Sequence, residues 1–506
     1  MRLSLDPAGG TVSLVNAVAP VRWPRAVAES HAAPAVAAGP VLVVLAVKCA
    51  LNIAFADRYG WQRDELYYAV AGLHLQGGYV DFAPVTAVLS AAARELFGWS
   101  LVGFRSFAVL AGAATVVLAA LIARELGGGR RAQVIAAVLV AFSPRLVAAN
   151  GLFQPVSFDL AVTMLVLWLA LRLALGRGSW LALGVAVGVG LETKYTLAVV
   201  LLLLVAGFAA SRRDVLATRG LVLAILVAGA LTMPNLLWEA RHGWSSVHFF
   251  LHPPPSATAE TRVEYINNLL AQLNYGVVVV AVLGAAMLLR DRRLRPLGLT
   301  VVGVPVAYFL LGGKSYYAGP VVLFALAAGA VPLAQWATRG WRLAAVGVLG
   351  VGWVVTFSFS LPTILPVLPL RTAIQQGVVK ARTDYQDELG WLAFAAQVKR
   401  LAGGANVVVA SNYGEASALK LFGHDLPPIA STDVTFRYWR PTVTGRHAIL
   451  VGFPEGTASG FCRRYARLSR IKMPTANQER GLPIARCTLN SNLATDWPRI
   501  LLATGP

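Results

Sequence analysis

Two adjacent carboxylates, Asp64 and Glu65, are the residues of this sequence best suited to acid–base chemistry. They occur in the stretch Trp61-Gln62-Arg63-Asp64-Glu65-Leu66-Tyr67-Tyr68, between two apolar segments. A carboxylate at a membrane surface could take the proton of an acceptor hydroxyl as a general base. The competing interpretation is structural, because the helix dipole favours acidic residues in the first turn of a helix. These residues alone leave both interpretations open.

The chain continues from this stretch as an amphipathic segment up to Gln76. It then reads Gly77-Gly78-Tyr79-Val80-Asp81-Phe82-Ala83-Pro84. The pattern predicts a helix that lies along the membrane interface and is followed by a turn. The turn places a third carboxylate, Asp81, in the same loop.

Two lysines stand at the ends of apolar segments and are followed by tyrosines. Lys194 precedes Tyr195, and Lys314 precedes Tyr316 and Tyr317. Lysines near the ends of membrane helices commonly extend to the headgroups, which is the structural alternative. Both lysines, however, fall on the side where basic residues are otherwise scarce. Cations paired with hydroxyl donors suit a lipid-linked phosphate. We therefore predict that the two lysines approach each other and hold a phosphate between them.

The composition predicts that membrane helices position these residues. The 506 residues are 57% hydrophobic and 13% charged, and the mean hydropathy is +0.63. Soluble domains are less apolar and more highly charged. A membrane-spanning helix needs about twenty mainly apolar residues. About eleven candidate spans follow: 37–56, 106–124, 132–149, 157–175, 179–191, 195–210, 220–238, 268–289, 297–312, 317–336 and 342–361. The short spans 179–191 and 195–210 predict a tilted or re-entrant hairpin.

The basic residues predict the orientation in the membrane. The formal net charge is +20, and arginines concentrate in alternate loops, which is typical of cytoplasmic loops and not of a nucleic-acid-binding face. This set comprises Arg124, Arg130, Arg131, Arg172, Arg177, Arg212, Arg213, Arg219, Arg290, Arg292, Arg293, Arg295, Arg339 and Arg342. We expect it to be cytoplasmic, together with an N-terminal tail 1–36. The loops 57–105, 150–156 and 239–267, both lysines and the region after 362 would then face the periplasm or cell exterior.

The residues after the last span differ from the rest of the chain. A proline-rich linker with Pro362, Pro366 and Pro369 leads into residues 362–506. Residues 406–410 and 448–452 predict buried strands, and 415–422 predict a helix. The fold class is therefore an all-α polytopic membrane bundle with a small C-terminal α/β domain. Because Cys462 and Cys487 would lie together in an oxidising compartment, we predict that they form a disulfide.

Four motifs resemble those of one family. Asp64-Glu65-Leu66-Tyr67-Tyr68 resembles the Asp-Glu signature of integral-membrane glycosyltransferases of the GT-C type. The closest likeness is to the bacterial branch of the dolichyl-phosphate-mannose-protein mannosyltransferase family, which includes the aminoarabinose transferases acting on lipid A. The other three motifs are Gly190-Leu191-Glu192-Thr193-Lys194-Tyr195, Gly313-Lys314-Ser315-Tyr316-Tyr317-Ala318-Gly319-Pro320, and Asn235-Leu236-Leu237-Trp238 with His242-Gly243-Trp244. The resemblance covers roughly residues 40–340, with the motifs in the same order.

The resemblance implies a polyprenyl-phosphate-linked sugar donor and a general base, Asp64. The substrate-binding residues that follow from it and from the loop analysis are Glu65, Tyr67, Tyr68, Asp81, Lys194, Tyr195, His242, Lys314, Tyr316 and Tyr317. The chain departs from the family at Ala83, because members often carry Lys or His before this proline. Lys194 and Lys314 would then supply more of the phosphate contact. Whether Asp64, Glu65 and His242 hold a divalent metal is left open by the sequence.

The resulting hypothesis is a glycosyltransferase of the bacterial plasma membrane. It would move a hexose or pentose from the lipid phosphate to a hydroxyl of a glycan, lipid or protein. The sequence has no Gly-rich nucleotide-binding loop between a strand and a helix. The alternative is a transporter or lipid flippase, but such proteins place polar groups near the bilayer midplane and often have repeated halves. Here the polar groups gather at one face, and no repeat is visible. A non-catalytic scaffold is a third possibility.

Overall fold

The computed structural model describes residues 33–252, 260–338 and 340–504. The predicted tail 1–36 falls almost entirely outside these residues. The chain is mostly helical, and its first part contains α1 (Ala38–Ile53), α2 (Arg63–Ala71), α3 (Val85–Phe97), α4 (Leu101–Glu125), α5 (Arg130–Ala141), α6 (Pro144–Ala149), α7 (Pro155–Ala174), α8 (Trp180–Leu191), α9 (Leu197–Ser211), α10 (Arg213–Leu216), α11 (Arg219–Arg241), α12 (Ser245–Leu251), α13 (Arg262–Ala271), α14 (Val278–Arg290), α15 (Arg295–Leu311), α16 (Gly319–Trp336) and α17 (Trp341–Ile364).

Several of these helices are suited to cross a membrane. Among the described residues, five are long and apolar enough, and the bent pair formed by α13 and α14 gives a sixth. Four shorter apolar helices, α1, α8, α9 and α15, accompany them. The chain is therefore a multi-pass membrane protein, while the count of eleven spans stays a prediction.

Two predicted spans are interrupted where the backbone cannot continue a helix. Residues 132–149 divide into α5 and α6 because Pro144 starts a new helix, with the Ser143 hydroxyl accepting a hydrogen bond from the backbone N–H of Leu146. Proline is tolerated in the first turn of a helix but breaks its interior. Residues 268–289 are bent by 77° between α13 and α14. The break lies beside Asn274, whose φ of 63° lies in the left-handed region.

The hairpin predicted from spans 179–191 and 195–210 is wrong, because the two helices pack against different partners. Helix α8 packs mainly against α11, and α9 packs against α15. Gly184 lets α8 approach α11 closely, because a Cβ there would lie 2.7 Å from the Ala224 backbone. The two helices therefore diverge, and the turn that carries Lys194 lies where they separate.

The C-terminal part is built on one mixed sheet. Its elements are α18 (Leu370–Gln375), α19 (Val378–Ala381), α20 (Thr383–Gln386), α21 (Trp391–Leu401), β1 (Val407–Ala410), α22 (Tyr413–Phe422), β2 (Ile429–Ser431), β3 (His447–Val451), α23 (Glu455–Ala458), β4 (Cys462–Arg470), β5 (Pro483–Leu489) and α24 (Leu493–Thr504). The strand order is β2-β1-β3-β5-β4. Strand β1 is parallel to β2 and β3, and β5 is antiparallel to β3 and β4.

The two strands that were predicted from the sequence are largely buried. Strands β1 and β3 lie where strands were predicted, because β1 and the part of β3 after His447 are runs of buried apolar residues, as is typical of parallel strands covered on both faces. Strand β4 is an exposed edge strand rich in arginine, and such charges protect edges from pairing with another chain. The predicted disulfide between Cys462 and Cys487 is confirmed. The domain boundary at residue 362 stays a prediction.

A buried carboxyl in this part predicts a dependence of stability on pH. Glu415 in α22 is completely buried, and burial first, then the nearby Glu479, raises its pKa to about 8. Since the unfolded chain releases this proton near the ordinary value of 4.5, stability should fall as pH rises from about 4.5 to 8, by up to about 1.4 kcal/mol per pH unit. We expect Glu415→Gln to reduce this slope in thermal unfolding of the detergent-solubilised protein. The exposed control Glu455→Gln should keep it, and equal slopes in all three proteins would contradict the prediction.

Candidate active site

The two adjacent carboxylates have different environments. Glu65 is completely buried and receives two hydrogen bonds from Arg105, Nε to Oε1 at 2.9 Å and Nη2 to Oε2 at 2.6 Å. It also accepts from the backbone N–H groups of Gln62 and Phe153, and with Gln62 it forms the capping box that starts α2. Glu65 therefore fixes α2 against α4 and the residues before α7.

Asp64, one residue earlier, points to a different environment. Its Oδ1 accepts a hydrogen bond of 2.7 Å from the hydroxyl of Tyr413. Arg63 Nε lies 3.7 Å from the same oxygen, and the Asp64 side chain is 34% exposed. Asp64 lines a cavity of about 660 Å³. The structural interpretation of paired acids in a first helical turn thus fits Glu65, while Asp64 is available for chemistry.

The cavity gathers charged side chains from distant parts of the chain. Its charged lining residues are Asp64, Asp81, Arg145, Lys194, Lys314, Arg382 and Asp384. Arg382 and Asp384 form an ion pair of 2.9 Å with each other. The remaining set has three cations and two carboxylates, so the cavity suits an anion beside a base.

Lys194 and Lys314 both line this cavity. Lys194 Nζ lies 4.8 Å from the ring centre of Tyr316 and 5.1 Å from that of Tyr317. The loop that carries Lys314 is held by Ser315, whose backbone N–H and hydroxyl both donate to Glu260. The binding of a phosphate by these residues stays a prediction.

A further cation, Arg145, lines the same cavity and was missed by the sequence analysis. Its guanidinium carbon lies 5.0 Å from the ring centre of Tyr316. Its Nε and Nη2 are buried without a hydrogen-bond partner. The available signal was an arginine next to a proline at the outer end of a predicted span, because a cation at such depth is costly and usually functional.

Asp81 and Tyr68 also line the cavity. Tyr67 lies behind Asp81 and donates a hydrogen bond of 2.8 Å to its Oδ1. Burial raises the pKa of Asp81 to about 7, with nearby Asp433 and Asp64 acting in the same direction and the Tyr67 hydrogen bond opposing them. Tyr195 also lines the cavity, and its hydroxyl accepts from Asn235 at 3.0 Å.

Three of the predicted binding residues do not line the cavity: Glu65, Tyr67 and His242. His242 stacks on Trp238 with ring centres 4.1 Å apart, and its Nδ1 lies 2.7 Å from the Trp238 carbonyl oxygen. The metal group considered from the sequence, Asp64 with Glu65 and His242, is therefore not formed. Within the described ranges, no group of three His, Cys, Asp or Glu side chains could hold a metal ion.

Part of the chain matches a known protein family. Residues 81–238 match the model of the dolichyl-phosphate-mannose-protein mannosyltransferase family. This segment includes Asp81 and Lys194, whereas Asp64 and Lys314 lie outside it. A sequence search of curated proteins finds no match.

Solved structures share the fold. ArnT from Cupriavidus metallidurans bound to undecaprenyl phosphate is 15% identical, with a TM-score of 0.58, over 89% of this chain and 98% of that chain. Its apo state gives 16% identity and the same TM-score over 93% and 100%. The oligosaccharyltransferase AglB from Archaeoglobus fulgidus, in complex with an inhibitory peptide and a dolichol-phosphate, is 12% identical with a TM-score of 0.52 over 76% and 64%. The resemblance stated from the sequence is confirmed, and the membrane fold is that of ArnT.

Proposed function

We propose that this chain, which resembles the dolichyl-phosphate-mannose-protein mannosyltransferases and has the fold of ArnT, is a membrane glycosyltransferase. It transfers a sugar from a polyprenyl-phosphate donor to an acceptor hydroxyl. The observation that carries the proposal is the single cavity that Asp64 shares with Arg145, Lys194 and Lys314. A base and an anion site within one cavity are what this reaction requires.

The reaction follows from the positions of these groups. Asp64 takes the proton of the acceptor hydroxyl, and the acceptor oxygen forms a bond to the anomeric carbon of the sugar. The bond from that carbon to the phosphate oxygen breaks, and the polyprenyl phosphate leaves with the electron pair. Lys194, Lys314 and Arg145 stabilise the charge on the departing phosphate.

Arg145 can supply the positive charge that the family resemblance implies at position 83, where this chain has Ala83. Ala83 lines the cavity without offering a charge, whereas the family resemblance implies Lys or His at this position. The buried Arg145 faces the same cavity with two unpartnered nitrogens. A phosphate oxygen would satisfy those donors, so Arg145 replaces the missing cation. Asp81 and Tyr68, which also line the cavity, contact the sugar.

We assign the side of the membrane and the supporting roles in the same way. The cavity faces the periplasm or cell exterior of a bacterial plasma membrane, because arginines concentrate in the opposite loops and the disulfide lies in the part of the chain that contacts Asp64. Glu65 and Tyr67 support the site from behind, and His242 packs beside it. A transporter is less well supported, since its polar residues would be expected near the bilayer midplane.

Labelled donors test the proposal directly. Envelope membranes containing the overproduced chain are incubated with a panel of radiolabelled polyprenyl-phosphate hexoses and pentoses. We expect one donor to pass its label to an acceptor fraction and to release polyprenyl phosphate in equal amount. Transport of an intact donor across sealed vesicles without such release would contradict the proposal and favour the flippase.

A further inference from the structure

Tyr413 brings the C-terminal part of the chain into direct contact with the base. We infer that Tyr413 is a positioning residue, which fixes the Asp64 carboxylate so that Oδ2 faces the acceptor. The C-terminal part is then a component of the active site. This inference rests on the proposed function, since it assigns Asp64 the role of base.

The backbone of Tyr413 is held firmly in place. Tyr413 begins α22, and the side chain of Asn412 caps that helix by accepting from the N–H of Glu415 at 2.8 Å. The N–H of Tyr413 itself donates to Asp433 Oδ2 at 3.0 Å. The hydroxyl therefore projects from a fixed helix start and not from a mobile loop tip.

The ring of Tyr413 contacts two residues of α2, the helix that carries Asp64. The ring centre of Tyr67 lies 4.9 Å away, and the guanidinium carbon of Arg63 lies 5.1 Å from the ring centre. Arg63 also lies 3.7 Å from Glu479 of the C-terminal part. These contacts hold the ring in the orientation in which its hydroxyl donates to Asp64.

Further contacts join residues 66–80, which follow Asp64, to the C-terminal part. The backbone N–H of Val80 donates to the Thr435 hydroxyl at 2.9 Å, and the N–H of Thr435 donates to the Tyr67 hydroxyl at 3.3 Å. Leu66 and Val70 of α2 pack in one apolar cluster with residues of α22. Helix α2 and the turn at Val80 are thus both attached to the C-terminal part.

The arrangement distinguishes the two oxygens of Asp64. Oδ1 accepts from Tyr413 and lies near Arg63, whereas none of the residues that the structure describes donates to Oδ2. The pKa of the Tyr413 hydroxyl is held well above its ordinary value by burial and then by Asp64, so the hydroxyl remains a donor near neutral pH. An anchored carboxylate presents one oxygen to the acceptor, and misplacement of a reacting group by about 1 Å can cost about a hundredfold in rate.

The substitution Tyr413→Phe removes only the hydroxyl. In the full chain, we expect kcat for the donor identified above to fall roughly ten- to hundredfold, with an unchanged KM for that donor and unchanged affinity for undecaprenyl phosphate. The matched control is Tyr465→Phe, because that hydroxyl donates to Phe453 within the C-terminal part. The control should keep both the rate and the binding of wild type.

Infrared spectroscopy provides a readout that does not depend on turnover. The carboxylate stretching band of Asp64, identified by subtracting the spectrum of Asp64→Asn, should shift in Tyr413→Phe and stay in place in Tyr465→Phe. A Tyr413→Phe enzyme with wild-type kcat or an unshifted band overturns the inference, even if Asp64→Asn is inactive. Failure of wild type to transfer any sugar overturns the proposed function instead, and the two failures are distinguishable.

Discussion

Asp64→Asn should abolish sugar transfer while the protein remains folded and inserted in the membrane. Loss of one positioned base typically costs about a hundred- to ten-thousand-fold in rate. Asparagine has nearly the same shape and keeps a carbonyl oxygen that can accept from Tyr413, so the contact with the C-terminal part survives. Initial rates of label transfer from the polyprenyl-phosphate donor measure the effect.

Asp57→Asn is the control for this substitution. Asp57 is an exposed carboxylate in the same predicted external loop, so its removal should leave the rate unchanged. Thermal unfolding should place both variants close to wild type. An Asp64→Asn enzyme that turns over at nearly the wild-type rate would show that Asp64 is not the base.

The double variant Lys194→Ala/Lys314→Ala should lose donor binding far more than acceptor binding. Hydrogen bonds to charged groups contribute about 1.5–3 kcal/mol each, so the loss of two should weaken binding of undecaprenyl phosphate by at least about a hundredfold. Each single Ala variant should show part of this loss. Lys→Arg should restore binding only partly, because a guanidinium differs from an ammonium in shape and hydrogen-bond geometry.

Equilibrium titration of the purified protein with undecaprenyl phosphate measures this effect. Lys380→Ala is the control, since Lys380 is an exposed lysine in the C-terminal part and lies outside the cavity. Normal binding of undecaprenyl phosphate by both single Ala variants would contradict the assignment of the two lysines to the phosphate.

The helical segments were predictable because they depend on local composition. A run of about twenty apolar residues can lie only in a membrane or a core, so most predicted spans coincide with helices. Their interruptions were harder to predict. The break at Pro144 has a local cause, whereas the divergence of α8 and α9 arises from packing against α11 and α15, which lie later in the chain.

The candidate site was predictable only where the charge was conspicuous in an apolar setting. Lys194 and Lys314 stood out for this reason, whereas Arg145 was absorbed into a predicted span. Tyr413 gave no signal, because it lies 349 residues from Asp64 and only the fold joins them. Glu65 and Asp64 look equivalent in sequence. In the structure only Glu65 is buried against Arg105, which gives it a structural role and leaves Asp64 in the cavity.

A cryo-electron microscopy map of the full chain with undecaprenyl phosphate tests the central claim most directly. The account predicts that the phosphate lies in the cavity between Lys194 and Lys314, within hydrogen-bonding distance of Arg145. Asp64 would then lie across the cavity, with Oδ2 open to an acceptor. A phosphate bound elsewhere, with the three cations empty and Asp64 remote from it, would contradict the account.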